Sequence, residues 1–214
     1  YRSQGRTHAA GASREIILSA GAINSPKILE LSGIGTPSIL KEAGVVPLHE
    51  LRGVGGNLQD HLQIRTVFRI EGARTLNQLY HNLFSRAAMG LEYAFRRSGP
   101  LSMAPSQLGI FAKSDPALLT PDLEYHVQPL STDRLGEPLH TYPAVTVSVC
   151  NLRPESRGTV HIAGADPALP PDIRPNYLST TGDRLLAARS IHHARALMAA
   201  RAAMKVRPHE KLSR

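Results

Sequence analysis

Three small residues, Ala20-Gly21-Ala22, lie where an apolar run gives way to a helix signal. The run Arg14–Ala20 predicts a buried strand, and Ser25-Pro26 supplies a helix cap and a proline suited to a first turn. Bare backbone between a strand end and a helix start lets a ligand lie against it at the carboxyl end of a sheet. The alternative is that Gly21 serves only a tight strand-to-helix turn.

A second group that could do chemistry is the polar run Asn57-Leu-Gln-Asp-His61, at the end of a glycine-rich connection. Asn57, Asp60 and His61 offer amide, carboxylate and imidazole groups that can hydrogen-bond a ligand. The same groups serve an internal network that satisfies the backbone donors of an irregular loop. The sequence leaves both interpretations open.

Metal, thiol and hydrolytic chemistry lack the residues that they need. Cys150 is the one cysteine, so neither a disulfide framework nor a cysteine-based zinc site is predicted. The pair His192-His193 points about 100° apart on a helix and has no third ligand, so we expect a solvated helix face. No serine has the nucleophile-elbow pattern, so a hydrolase is not supported.

The elements that must position these groups follow from periodicity and punctuation. A helix begins at Ser25-Pro26 and ends at Gly33, a second spans Ser38–Ala43, and residues 45–61 form an irregular connection. Leucines at helical spacing predict one helix over Thr75–Arg97, and a last helix runs over residues 183–203. The predicted strands are residues 63–70, 107–113, 122–128, 144–151 and 158–162, with a proline-rich loop at 167–175. This order predicts an α+β fold.

Charge and composition narrow the classes of partner. The formal net charge is +8, but the arginines are scattered and aromatic residues make up only 5%, so no nucleic-acid partner is predicted. No apolar run approaches the roughly 20 residues that span a bilayer, so no transmembrane segment is predicted. One cysteine fits a reducing compartment, and we expect a cytoplasmic protein. Because Tyr1 is not a natural start, we also expect the true N-terminus to lie upstream.

The segment Gly21–Gly35, GAINSPKILELSGIG, resembles the second signature of the glucose–methanol–choline (GMC) family of flavin oxidoreductases. Val54–His61, VGGNLQDH, resembles that family's next block. Four further blocks follow in the family's order, namely Ser98–Leu101, Pro121–Leu123, Ser156–Val160 and Pro175–Leu178. The resemblance reaches to about residue 205 and is greatest to the choline-dehydrogenase-like branch.

The resemblance implies FAD as cofactor and oxidation of a small-molecule alcohol, with hydride passing to the flavin; the electron acceptor is not predicted. It implies an FAD-binding domain followed by a substrate domain, whose antiparallel sheet carries packed helices and covers the flavin ring. We therefore predict part of an α/β FAD-binding domain at residues 1–61, a substrate domain at 62–205 and a tail at 206–214. The implied cofactor-side residues are Ala20, Gly21, Ala22, Asn57, Asp60 and His61.

Gln107 and Asn151 are the implied substrate-side residues. Choline-oxidising members of the family carry a carboxylate near the position of Gln107, where it meets the trimethylammonium group. A neutral amide lacks that charge attraction, so the resemblance implies a neutral alcohol rather than choline. Asn151 and Arg153 follow the strand end that approaches the active site, and loop hydrogen bonding is the alternative role for both.

Two family features have no counterpart in these residues. The Gly-x-Gly-x-x-Gly fingerprint does not occur in its strand–turn–helix context, and the segment bearing the family's catalytic histidine would begin after Arg214. We therefore predict an internal fragment that contains no catalytic residue and is inactive alone. The alternatives are a non-catalytic binding module that uses a basic surface, and a gene product that does not fold stably.

Overall fold

The computed structural model describes residues 1–104, 106–134, 136–200 and 209–210. The helices are α1 Gly21–Leu31, α2 Pro37–Glu42, α3 Leu76–His81, α4 Leu83–Arg96 and α5 Thr181–Met198, with a 3₁₀ turn at Pro100–Ser102. The strands are β1 Arg2–Ser3, β2 Arg6–Thr7, β3 Ile34–Gly35, β4 His49–Glu50, β5 Gln63–Arg69, β6 Leu108–Ala112, β7 Leu123–Gln128, β8 Ala144–Asn151, β9 Thr159–His161, β10 Asp172–Arg174 and β11 His209–Glu210.

The predicted α+β class is confirmed, with 29% helix and 21% strand. The chain forms two compact units. Unit 1 comprises Tyr1–Leu58 and Arg157–Asn176, and unit 2 comprises the described residues of Gln59–Ser156 and Tyr177–Arg214. Residues 157–176, which the sequence prediction assigned to the substrate domain, thus group with the first 58 residues. The functional domain assignments stay predictions.

In unit 1 the predicted strand over Arg14–Ala20 is wrong. No described segment pairs with it, and Ile16 and Ile17 are 82% and 79% exposed. A strand needs a hydrogen-bonded neighbour for its backbone, and apolar residues alone do not supply one.

The predicted start of α1 is also wrong. The helix begins at Gly21, so Pro26 lies inside it. Ser25 does not cap the helix as predicted but accepts a hydrogen bond from the Ala20 N–H at 3.1 Å. The predicted end is confirmed, because Gly33 follows the helix with φ +79° and donates its N–H to the Glu30 carbonyl.

The predicted loop over residues 167–175 contains a strand. Strand β10 pairs antiparallel with β9, and Asp172, Ile173 and Arg174 lie opposite His161, Val160 and Thr159. Prolines 167, 170 and 171 precede the strand and Pro175 follows it, so their missing N–H groups do not interrupt its hydrogen bonds.

Unit 2 is built on an antiparallel sheet of order β11-β5-β8-β7-β6. The predicted strands β5, β6, β7 and β8 are confirmed, β8 to the residue. One face packs against α5, and its core comprises Phe68, Leu123, Tyr125, Val147, Val149, Ala194 and Met198.

The predicted single helix over Thr75–Arg97 is two helices. Asn82 separates α3 from α4 in an extended conformation, and its side chain accepts a hydrogen bond from the Ser85 N–H at 2.9 Å. An asparagine that caps the second helix competes with continuation of the first, which leucine spacing alone does not reveal. The start of α5 is confirmed, but the helix ends at Met198 and Ala199 caps it, so the predicted end at residue 203 is wrong. Most of the predicted tail lies outside the described residues. None of the described helices is long and apolar enough to cross a membrane.

Candidate functional site

The predicted cofactor-side segment lies at the beginning of α1 and is open. Gly21 has φ +82°, and a Cβ added there would meet no atom within 4 Å. Ala20 occupies the N-cap position but its side chain forms no capping hydrogen bond, and the first turn contains no acidic residue. Backbone N–H groups at an uncapped helix start attract anions through hydrogen bonds and the helix dipole. The segment therefore fits the approach of a phosphate-bearing ligand.

The other end of α1 is fixed by a carboxylate that sequence reasoning missed. Glu30 is fully buried; its carboxylate accepts a hydrogen bond from the Ile162 N–H at 2.8 Å and lies 2.7 Å from His161 Nδ1. Lys27 donates to the Pro167 carbonyl at 2.8 Å. The signal was a single glutamate within the apolar run Ile-Leu-Glu-Leu of the signature. These contacts hold the helix against the β9–β10 hairpin.

Unit 1 also contains an open polar hollow of about 440 Å³ between α2 and the β9–β10 hairpin. Its charged lining comprises Glu42, Asp172 and Arg174, and Arg174 Nη2 lies 2.5 Å from Asp172 Oδ2. None of the predicted site residues lines it. The predicted chemistry thus gains no support from this hollow.

The run Asn57–His61 crosses from unit 1 into unit 2. Asn57 is exposed with φ +59°. In unit 2, the Tyr177 hydroxyl donates to Asp60, and this bond raises the pKa of Tyr177 to about 12. His61 Nε2 lies 3.2 Å from the Leu152 carbonyl. Asp60 and His61 thus have protein partners, which favours the internal-network interpretation for these two residues.

The most connected polar group of unit 2 is Asp183, in the first turn of α5, which sequence reasoning used only as a helix start. It is 4% exposed, and its carboxylate accepts hydrogen bonds from the Asn151 amide, the Glu155 N–H and both the N–H and hydroxyl of Ser156 at 2.5–3.0 Å. Burial alone would raise the pKa of Asp183, but the hydrogen bonds, led by the Ser156 hydroxyl, outweigh it and lower the pKa.

Asn151 has a clear structural partner. Its amide donates to Asp183 at 3.0 Å, and its Oδ1 accepts from the Arg153 N–H at 3.0 Å. Asn151, Asp60 and Asp183 line one small cavity of about 20 Å³, together with Tyr177 and mostly apolar side chains of the core. Such a volume holds about one water molecule, so this cavity is no alcohol-binding pocket.

The sheet face opposite α5 is polar, and we call it the polar face. It comprises Arg65, Glu124, His126, Gln128, Thr146, Ser148 and Cys150, which alternate with the core residues. Arg65, Ser148 and His126 lie opposite one another across three strands, and Arg65 Nη2 and Ser148 Oγ are buried with no hydrogen-bond partner among the described residues. Gln107 precedes β6 at a position of this face and donates to Met103 Sδ at 3.0 Å. The structure therefore separates Gln107 from Asn151, which points to the α5 side.

Two histidine arrangements resemble catalytic geometry. Ser131 Oγ lies 2.8 Å from His140 Nδ1, and His140 Nε2 lies 3.1 Å from Asp133. Ser131 is fully buried and also bonded to Asn77, so no acyl substrate can reach its hydroxyl.

The sequence predicted a solvated helix face for His193, and this prediction is wrong. His193 Nδ1 lies 2.8 Å from the hydroxyl of Tyr125. Burial raises the pKa of Tyr125, which keeps this phenol neutral. In the described part of the chain, no three His, Cys, Asp or Glu residues form a metal-binding group.

Comparison with known proteins adds family information to this geometry. The N-terminal profile of a family described as GMC oxidoreductase matches residues 1–63, and its C-terminal profile matches residues 154–213. The alcohol dehydrogenase [acceptor] of Pseudomonas putida is 39% identical over 172 residues, which are 80% of this chain and 31% of that protein. Human mitochondrial choline dehydrogenase is 38% identical over 86% of this chain and 31% of its own length.

Solved structures share the fold. A formate oxidase superposes with a TM-score of 0.80 at 27% identity, covering 91% of this chain and 38% of that one. A formate oxidase of Aspergillus oryzae, solved in work on its FAD modification, gives 0.82 at 26% identity over 91% and 39%. The chain spans about a third of the curated relatives it matches. At the level of the family, the predicted cofactor FAD and the choline-dehydrogenase likeness are confirmed.

Proposed function

Because the chain belongs to the GMC oxidoreductase family, we propose that it is the central part of an FAD-dependent oxidoreductase that acts on the CH–OH group of a small alcohol. The activity belongs to a longer protein, of which this chain corresponds to about a third. We place that protein in the choline-dehydrogenase-like branch and in the cytoplasm. The catalytic base and the glycine-rich fingerprint are proposed to lie in other parts of it.

The open start of α1 carries this proposal. Ala20, Gly21 and Ala22 would face the phosphates of FAD, since Gly21 leaves the backbone uncovered and no acidic residue repels an anion there. FAD, when bound, would supply the hydride acceptor. Asn57, Asp60 and His61 are proposed to lie on the cofactor side, where Asp60 and His61 act through the network with Tyr177 and Leu152.

Gln107 and Asn151 are the proposed substrate-side residues, in different roles. Gln107 belongs to the polar face, where buried Arg65 Nη2 and Ser148 Oγ are donors with no described partner. Asn151 positions the end of β8 through Asp183. The neutral amide of Gln107 lacks the charge that attracts a cation, so this position favours a neutral alcohol over a quaternary ammonium substrate.

A charge-only substitution tests the cofactor proposal. Ala22 is exposed in the first turn of α1, so aspartate there leaves the fold intact and favours the helix dipole. In the longer protein we expect Ala22→Asp to lose most of its bound flavin, measured by absorbance after gel filtration. The isosteric neutral variant Ala22→Asn should retain it. Equal flavin content in the two variants would contradict the proposal.

A second substitution tests the substrate class. The longer protein should reduce an artificial acceptor with neutral primary alcohols, and Gln107→Glu should improve kcat/KM for choline about tenfold or more relative to a neutral alcohol. Gln107→Met is the matched control and should not favour choline. A wild type that prefers choline would refute the neutral-alcohol assignment while leaving the FAD assignment intact.

A further inference from the structure

A buried carboxylate near the end of α1 fixes this helix to strand β9. Glu30 is fully buried, accepts a hydrogen bond from the Ile162 N–H at 2.8 Å and lies 2.7 Å from His161 Nδ1. Backbone encloses the two side chains: a Cβ at Gly35 would lie 3.2 Å from Glu30 Cγ, and one at Gly55 would lie 2.5 Å from His161 Nδ1. A buried carboxylate is costly without its donors, so these contacts hold it in one place.

Helix α1 has one other charged residue, and it contacts the same later segment of unit 1. Lys27 precedes Glu30 by three residues, and residues at this spacing are neighbours on a helix surface. Its Nζ donates to the Pro167 and Leu169 carbonyls at 2.8 and 2.6 Å. Both charged residues of α1 therefore contact the segment 161–169, from 131 to 142 positions further along the chain.

These polar contacts set the rotation of α1 about its axis. Of the 11 residues of α1, all of which the structure describes, Glu30 alone is buried. Apolar packing is non-directional, whereas hydrogen bonds hold a side chain in one direction. Successive helical residues are about 100° apart, so Gly21 lies on the side of the helix opposite to Glu30. The open side of Gly21, where an added Cβ would meet no atom within 4 Å, thus faces away from the β9–β10 hairpin because Glu30 faces toward it.

We infer that Glu30 and His161 form a positioning pair for the flavin site: they set the rotation of α1 and thereby the direction in which the segment Ala20–Ala22 presents its backbone. The inference rests on the proposed function, in which this segment faces the phosphates of FAD. Backbone N–H groups bind a phosphate well when they are aimed at it, so a small rotation of the helix weakens binding. Because Glu30 is buried, it acts through α1 and not by contact with the cofactor.

Flavin titration of the longer protein, freed of its cofactor, tests this inference. Glu30→Met keeps the length of the side chain but offers no carboxylate acceptor, and we expect it to weaken FAD binding about tenfold, as followed by quenching of flavin fluorescence. Glu30→Gln should restore FAD binding to within about twofold of the wild type. Its amide oxygen can accept from the Ile162 N–H, and its amide N–H can donate to His161 Nδ1.

A matched control separates positioning from general stability. Leu40 is fully buried on α2 of the same unit and takes no part in the hydrogen bonds of Glu30. Leu40→Ala should lower the stability of unit 1 at least as much as Glu30→Met, yet leave the FAD affinity of the folded protein within about twofold. Equal losses of FAD affinity in Leu40→Ala and Glu30→Met would show that binding follows stability, and would overturn the inference.

A measurement without flavin uses the full chain. The amide NMR signals of Gly21, Ala22 and Ile23 should shift in Glu30→Met and stay near their wild-type positions in Glu30→Gln and Leu40→Ala. Unchanged signals in Glu30→Met would overturn the inference. Equal FAD affinity of Glu30→Met and the wild type would also overturn it, while the proposed function would stand. A longer protein that binds no FAD would instead refute the proposed function, and the inference with it.

Discussion

The two units are stabilised in different ways. Unit 2 has one continuous core of apolar side chains between its sheet and α5. Unit 1 buries few large side chains, and its segments approach one another at glycines: a Cβ at Gly55 would lie 2.3 Å from the Val160 carbonyl, and one at Gly158 would lie 2.1 Å from that of Arg174. Unit 2 therefore depends on side-chain packing, whereas unit 1 depends on close backbone contact.

Among the described residues, each unit also contains a buried carboxylate that joins segments distant in sequence. Asp183 joins α5 to the end of β8 and the following turn, and Glu30 joins α1 to β9. Buried charge is costly unless it is hydrogen-bonded, so both are specific anchors rather than general stabilisers. Substitutions that act on one unit alone show whether the two units depend on these contacts as the structure indicates.

The largest effect is expected at Asp183. Asp183→Ala leaves the Ser156 N–H, the Glu155 N–H and the Asn151 amide without their acceptor. We expect the free energy of unfolding of unit 2 to fall by about 3–5 kcal/mol. Hydrogen exchange of β8 amides measures it, with unit 1 amides as an internal reference.

Asp115 provides the control, since it is exposed in unit 2 and accepts one hydrogen bond, from the Ala117 N–H. Asp115→Ala should cost about 0.5 kcal/mol or less. If both substitutions had the same effect, Asp183 would not be the anchor of this unit.

The next effect concerns the close approach in unit 1. Gly55→Ala places a methyl group against the Val160 carbonyl at a residue with φ +75°, and should destabilise β9 by about 3 kcal/mol. Gly44→Ala is matched, because φ is +76° but the space is open. It should cost only about 1 kcal/mol of backbone strain. Equal costs in the exchange of the β9 amides would show that backbone contact does not stabilise unit 1.

A smaller effect is expected at Glu30. Glu30→Ala removes the acceptor of the buried Ile162 N–H, which should lower the stability of unit 1 by about 2 kcal/mol and leave β8 unchanged. Glu42 is exposed on α2 of the same unit, so Glu42→Ala is the control and should lower the free energy of unfolding by less than about 0.5 kcal/mol. If amides of both units lost protection from hydrogen exchange, Glu30 would stabilise unit 2 as well as the segments of unit 1 that it contacts.

The sequence predicted the elements of unit 2 better than those of unit 1. The reason is that side-chain packing leaves a local sequence pattern, whereas close backbone contact does not. Strand β8 alternates along a buried sheet between turn residues, so its bounds follow from local pattern. Arg14–Ala20 has the same apolar character, but a strand also needs a neighbour, which local pattern does not report. Pro26 led to a predicted helix start at Ser25-Pro26. The helix instead begins at Gly21, whose positive φ supplies the turn into it.

The anchors of the candidate site were harder to predict than the elements. The Asp183 carboxylate meets donors at Asn151 and Ser156, some 30 residues earlier, and their convergence depends on how α5 packs on the sheet. The positive φ of Gly21, by contrast, belongs to a local turn that the glycine itself indicates. A residue's place in a signature is thus visible in sequence, whereas its partner across the fold is not.

The smallest effect is the response of unit 2 to acid. Because the pKa of Asp183 is lowered in the folded chain, its contribution is fully present above the unfolded value of about 3.9 and is lost as pH falls through the folded value. Protonation removes the charge but leaves both oxygens in place, so the loss should be smaller than that of Asp183→Ala. Denaturant unfolding of the wild type and Asp183→Asn should differ at neutral pH and converge below about pH 4. Asp115→Asn is the control for the loss of an exposed aspartate. If the difference in the free energy of unfolding between the wild type and Asp183→Asn stayed constant down to the lowest pH, Asp183 would anchor unit 2 by its shape rather than by its charge.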